Sequence, residues 1–293
     1  MNALTRRALP LAAIAVLLSL APARAELMYG TTGSVLSRFD SNNLGSVTSV
    51  PLTGMQAGET LVGIDLRPAN GLLYGVGSSN RLYTINPLTG QATQVGSAGA
   101  FAVNGTSFGT DFNPVPDRIR QVSNTEQNLR LNPNDGTLTA LDSALNPAGN
   151  VVAVAYSNNF AGAASTVLYA IDSAAGTLGI ITNPNAGGPM TVVGSLGLGT
   201  NLNEAIGFDI SGSSGLAFAS ITTGGLSRLY TINLATGAAT LASSNGGAIG
   251  TGTAPFLGLT AATAVPEPST YMLLGAGALL VFFYSRRRRA ASN

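Results

Sequence analysis

Hydrophobic residues are distributed along this chain in three ways. A largely apolar run fills residues 8–20 and an uncharged, largely apolar one fills residues 270–285, while between them apolar residues come in short runs bounded by Gly, Pro, Asn and Asp. Short apolar or alternating runs separated by turn residues predict strands. Tyr74, Tyr83, Tyr169 and Tyr230 fall on alternating strand positions and read as core side chains rather than as a stacking platform.

The strand pattern repeats. The segment "LVGIDLRPANGLLYGVGSSNRLYTINPLTGQATQVGSA" (61–98) recurs as "AIGFDISGSSGLAFASITTGGLSRLYTINLATGAATLASS" (205–244). Each holds Gly-x-Asp, an apolar run, Arg-Leu-Tyr-Thr-Ile-Asn and a turn ending in Thr-Gly. Weaker copies begin at residues 107 and 153, and aligning Asp65, Asp111, Tyr156 and Asp209 separates them by 46, 45 and 53 residues. That length suits four short strands and their turns, which is one propeller blade. "FLGLTAA" (256–262) has the form of a first strand without successors, and residues 27–52 have the form of three strands lacking their first. The expectation is an all-β propeller over residues 26–263, with five four-stranded blades, the fifth closed by pairing of the N- and C-terminal strands. Closure would leave no exposed sheet edge.

The turns fit this scheme. "NPLTG", "NPNDG", "NPNAG" and "NLATG" each follow a strand-like run and end in Gly, the residue that accepts positive φ. "NPNDG" is not an EF-hand loop, because its Gly comes too early and no distal Glu matches.

Composition narrows the chemistry. Only 9% of residues are charged and 37 are Gly, which suits turn-rich β structure. There is no Cys, His, Lys or Trp, so disulfides, thiolate nucleophiles, His-based acid–base chemistry and zinc fingers are excluded. Residues 26–267 hold 7 Arg against 13 Asp and Glu, a net charge of −6 that repels nucleic acid. "GVGSSN" and "GLGTNL" lack the third Gly of a dinucleotide fingerprint, and no Lys exists to complete a P-loop. No cofactor and no metal is expected.

The two ends predict a destination. Arg6 and Arg7, the apolar run and "ARA" at Ala23 to Ala25 have the order that signal peptidase reads, so residues 1–25 are a signal peptide cut after Ala25. Residues 270–285 form a transmembrane helix of about 24 Å, slightly short of a hydrocarbon core of about 30 Å. Arg286, Arg287, Arg288 and Arg289 then hold the C-terminus on the cytoplasmic side and leave the body outside. Val265, Pro266, Glu267 and Pro268 form an extended strip before that span, which on physical grounds alone reads equally as a stiff spacer or as a protease-accessible site.

Pro-Glu-Pro, an apolar helix and a terminal Arg cluster in this order resemble the PEP-CTERM sorting signal of Gram-negative, exopolysaccharide-producing bacteria. The resemblance implies recognition by the membrane enzyme exosortase, cleavage near Val265–Pro268, and a transient anchor followed by release to the cell surface or beyond, over residues 264–293. The body's phrases, Gly-Ile-Asp-x-Arg-Pro, Leu-Tyr-Gly and Arg-Leu-Tyr-Thr-Ile-Asn-Pro-x-Thr-Gly, resemble the DUF4394 family. That likeness implies a propeller-like fold and transfers no catalytic residue.

Asp65, Asp111 and Asp209 share one repeat position near the end of each innermost strand. They read as caps of the following turns "RPANG", "NPVPD" and "SGSSG" or, as weak ligand candidates, as a carboxylate ring around the channel. Arg81 and Arg228 precede matching Leu-Tyr pairs and read as snorkelling or ion-paired. Glu204, Asp117 and Arg120 break the symmetry and are the first candidates for a site. The expected function is a non-catalytic surface scaffold, with polysaccharide or surface proteins as partners. The alternative is a carbohydrate-active enzyme using Asp and Glu.

Overall fold

The computed structural model of the protein describes residues 25–146, 149–243 and 246–262. Strands β1 (Leu27–Thr31), β2 (Val35–Asp40) and β3 (Asn43–Pro51) open the chain. Blade I follows as β4 (Leu61–Leu66), β5 (Leu73–Gly77), β6 (Arg81–Ile85) and β7 (Ala92–Val95). Blade II comprises β8 (Phe108–Asn113), β9 (Arg118–Ser123), β10 (Asn128–Leu131) and β11 (Leu138–Leu141). Blade III comprises β12 (Val151–Tyr156), β13 (Leu168–Asp172), β14 (Thr177–Ile181) and β15 (Met190–Ser195). Blade IV comprises β16 (Gly207–Ile210), β17 (Ala217–Thr223), β18 (Leu226–Ile232) and β19 (Ala239–Leu241), and β20 (Gly258–Ala261) is last.

These strands make five four-stranded antiparallel sheets, the fifth in the order β20-β1-β2-β3. Blade V is therefore shared by the two ends of the body, with Met28 opposite Ala261 and Thr31 opposite Gly258. The fold is the five-bladed propeller that the repeat predicted. Among the described residues no helix is long and apolar enough to cross a membrane. The predicted span over 270–285, the Arg cluster, Val265–Pro268 and Ala23 lie outside the described residues.

The hydrophobic core is divided among the five junctions between blades. Tyr74, Val76 and Leu82 of blade I meet Phe112, Ile119 and Leu129 of blade II. Met28 and Phe39 of blade V meet Phe218 and Leu229 of blade IV, together with Phe256 and Leu259. Because each junction buries its own cluster, the ring gains apolar burial at the last junction only when β20 returns to β1.

The Gly of each Gly-x-Asp sets how closely the innermost strands approach. A Cβ on Gly109 would stand 2.8 Å from the Val154 nitrogen and 2.9 Å from the Ala153 Cα on β12. On Gly207 it would stand 2.5 Å from the Leu259 Cβ and 2.7 Å from the Leu259 nitrogen on β20. At these two positions the side-chain direction is thus toward the next blade's innermost strand, and on Gly63 a Cβ would meet the Thr110 side chain, so a missing Cβ permits all three contacts.

Blade III corrects one alignment. Asp65 pairs across its blade with Tyr74, Asp111 with Arg120 and Asp209 with Phe218, and the matching pair in blade III is Ala155 with Tyr169. The structural equivalent is Ala155, not Tyr156, and the register shift between Val151 and Ala153 matches the one between Leu61 and Gly63 in blade I. In the same blade the turn ending in Gly176 lies between β13 and β14, whereas "NPNAG" supplies a short 3-10 turn, Pro184–Ala186, before β15.

Candidate functional site

An innermost strand has one edge in its blade and one edge facing the axis, where its backbone N–H groups have no ladder partner. Buried orphan amides of this kind require an acceptor. The repeated Asp supplies it from the blade before. Phe112 N–H donates to Asp65 Oδ2 at 2.7 Å, Tyr156 N–H to Asp111 Oδ2 at 2.7 Å, and Ala261 N–H to Asp209 Oδ2 at 2.6 Å. Thr260 holds the same position in blade V, and its hydroxyl accepts from Leu66 N–H at 3.3 Å and donates to Asp65 Oδ1 at 2.7 Å. Its oxygen also lies 3.2 Å from Asp209 Oδ2. The ring around the axis is therefore Asp65, Asp111, Ala155, Asp209 and Thr260.

These contacts replace the expected turn caps. The turn after Asp111 is capped two residues later, by Asn113 Oδ1 accepting from Val115 N–H at 3.1 Å. The turn after Asp209 is capped by Ser211 Oγ, which accepts from Ser213 N–H at 3.2 Å. The aspartates point round the ring rather than along their own turns.

All three are buried, with exposures of 1%, 0% and 1% for Asp65, Asp111 and Asp209. One carboxylate oxygen from each lies within 4.8 Å of the others. Burial is the largest cause that holds Asp65 and Asp111 well above the ordinary carboxylate range. Repulsion from Asp209 adds to the effect at Asp65, and repulsion from Asp65 and then Asp209 adds to it at Asp111. Asp209 is pushed up by burial to about 6, opposed by the N–H groups of Ala261 and Ile210, the Thr260 hydroxyl and the Asn159 amide. Among the described residues no N–H or hydroxyl donates to Asp111 Oδ1, and a hydrogen bond between the Asp65 and Asp111 carboxyls, which needs one of them protonated, adds to the rise at Asp111.

Glu204 lies elsewhere, at the channel mouth where the innermost strands begin. It borders a cleft of about 350 Å³ lined by Val62, Ser107, Phe108, Asn203 and Leu257 among others. Ser107 Oγ donates to its Oε2 at 2.7 Å, Asn124 Nδ2 donates to the same oxygen at 3.1 Å, and Asn150 Nδ2 donates to Oε1. The structure does not bring Glu204 into the axial cluster.

Asp117 and Arg120 prove to be partnered groups. Asp117 accepts from Arg67, with Nε to Oδ1 at 2.9 Å. Arg120 is 1% exposed and donates to Tyr156 Oη, Asn128, Asp142 and Asn185. Arg81 bonds Ser79 and lies 3.8 Å from Glu59, while Arg228 donates to the Gly246 carbonyl. Tyr74, Tyr83 and Tyr230 are buried and Tyr169 is half-buried.

The sequence did not reveal Thr260 as a ring member, although "GLT" at 258–260 occupies the place of Gly-x-Asp. It also missed Asn159, whose Nδ2 lies 3.4 Å from Asp209 Oδ1.

Fold and tail together define a five-bladed β-propeller carrying a sorting signal, since residues 264–289 match the PEP-CTERM protein-sorting motif. That motif marks a chain processed by exosortase and exported through the membrane of a Gram-negative cell to the surface. Residues 35–256 match the domain of unknown function DUF4394, and the chain belongs to that family. No curated protein matches it. Solved structures that match include a structural genomics protein of unknown function from Bacteroides thetaiotaomicron VPI-5482, with TM-score 0.46 and 14% identity over 76% of this chain. This chain spans 59% of that protein's length. Another is a chain of a nidogen/laminin complex, with TM-score 0.47 and 12% identity over 82% of this chain and 98% of that one.

Proposed function

We propose that the protein is a non-catalytic scaffold delivered to the cell surface or extracellular matrix, where it binds exopolysaccharide or another surface protein. In this reading residues 1–25 are removed by signal peptidase, the helix over 270–285 anchors the chain transiently, and exosortase cuts near Val265–Pro268. The observation that carries the scaffold reading is where the carboxyl groups are engaged. The three axial aspartates hold neighbouring blades together out of contact with solvent, and both oxygens of Glu204 in the open cleft are occupied by Ser107, Asn124 and Asn150. Acid–base hydrolysis of a glycoside needs two unlike carboxyl groups facing one bond. The mouth cleft, with Ser107, Asn203 and Glu204 beside Phe108 and Leu257, supplies instead the mixture of polar and apolar surface that holds a polyhydroxylated ligand.

The test is a glycan array probed with the full chain in mild detergent, followed by incubation with the glycans that bind. The scaffold reading expects retention without new reducing ends or unsaturated products. Product formation abolished by Glu204→Gln would replace it with the enzyme reading.

A further inference from the structure

We infer that Asp65, Asp111 and Asp209 form a binding site for one hard divalent cation, calcium by preference, which is enclosed at the propeller axis as the ring closes. The first ground is geometric. Three carboxylate oxygens from three different blades lie within 4.8 Å of one another. Two ligands at calcium–oxygen distances of about 2.4 Å lie at most about 4.8 Å apart and three spread evenly around the ion about 4.2 Å apart, so three oxygens within 4.8 Å of one another can close onto one ion with a small adjustment.

The second ground is a missing partner. Asp111 Oδ2 is turned to the Tyr156 amide, and among the described residues no N–H or hydroxyl donor reaches the other oxygen of this fully buried carboxyl, whose one neighbour is the Asp65 carboxyl that could share a proton with it. A buried acceptor of that kind needs a donor or a cation. Asn159 Oδ1, on the residue that donates to Asp209, is a second buried acceptor without a partner among the described residues.

The third ground is charge. Among the described residues no Arg ion-pairs with any of the three, and carboxyls buried together without a counter-charge are expensive. All donors at the site are oxygens and the chain has neither His nor Cys, which selects calcium or magnesium over zinc or copper. Calcium accepts the irregular geometry that three strands impose, with Thr260 Oγ1 and water completing its shell.

Asp65 and Asp209 are already oriented by N–H and O–H donors, so these ligands stand in place before an ion arrives. Burial prevents simple diffusion to the site, and capture belongs to folding.

The experiment unfolds the full chain in denaturant with a chelator and refolds it in detergent with calcium chloride, magnesium chloride or chelator. Metal content and Tm are then measured. The site predicts one calcium per folded chain and a Tm about 5–10 °C higher at calcium a hundredfold above Kd. Asp111→Asn, which keeps the shape and removes the charge, should fold and lose both effects. Folded protein with no retained calcium and the same Tm in all three refolding conditions overturns the inference in favour of protons shared among the acids. Calcium retained equally by Asp111→Asn overturns it by placing the ion elsewhere.

Discussion

Replacing Asp209 by Asn keeps an acceptor oxygen for the Ala261 amide while removing the charge. In metal-free protein the wild-type carboxyl is raised from 3.8 to about 6. Because the folded value lies above the unfolded one, stability from this group is fully present below about pH 4 and is lost as pH rises through 6. At about 1.36 kcal/mol for each tenfold change in proton affinity, the rise makes the ionised carboxyl about 3 kcal/mol more costly in the folded protein than in the unfolded chain. Asp209→Asn cannot lose this contribution, and Asn159 can turn its free Oδ1 toward the new amide. Urea unfolding in chelator, followed from pH 4 to 8, should therefore give nearly equal stabilities at pH 4 and a variant about 3 kcal/mol more stable at pH 7. A variant that is less stable at every pH, or offset by the same amount throughout, would refute the assignment of Asp209 as a carboxyl whose ionisation the fold opposes. Asp209→Ala supplies the control. It orphans the Ala261 N–H and should cost about 1–3 kcal/mol at pH 4, where charge no longer contributes.

Further expectations concern packing and the tail. Gly109→Ala should destabilise by about 1–3 kcal/mol in chemical denaturation, because its Cβ would meet the backbone of β12 rather than a movable side chain. Phe256→Ala should cost about 3–5 kcal/mol by the same assay. Phe256 is 4% exposed, lies over Gly30 and has its ring centre 6.1 Å from that of Phe39, at the junction that closes the ring. Truncation after Ala264 should yield folded body in the medium, and an insoluble product would contradict the separation of body from tail. Changing Pro266, Glu267 and Pro268 to Ala should leave uncut chain in the membrane, read by immunoblot.

Much of this was legible in the sequence, and for physical reasons. A blade repeats because each sheet must bury its faces on like neighbours, so Gly-x-Asp and Arg-Leu-Tyr-Thr-Ile-Asn recur where the same contacts recur. The split fifth blade could be read because each terminal fragment lacked what the other had. The direction of the aspartates could not, since Asp111 and Asp209, 46 and 144 positions beyond Asp65, give no sign that their carboxyls converge on it. Gly-x-Asp is intelligible only across a junction, where Gly lets the next strand approach and Asp then meets its free amide. Ala155 was misplaced by one residue because blade III carries no Asp to anchor the alignment. Glu204 was visible as an asymmetric acid, but its three partners come from segments around Ser107, Asn124 and Asn150 that no local pattern connects.

The propeller is a closed ring in which Asp65, Asp111, Asp209 and Thr260 lock four of the five blade junctions at the axis. Hydrogen exchange of the Phe112, Tyr156 and Ala261 amides reads that lock without an intermediary. In a locked ring all three exchange only with global unfolding, and Asp65→Ala selectively accelerates Phe112. Exchange of the three within minutes in the native protein, or loss of β20 protection while the other blades remain protected, would contradict it.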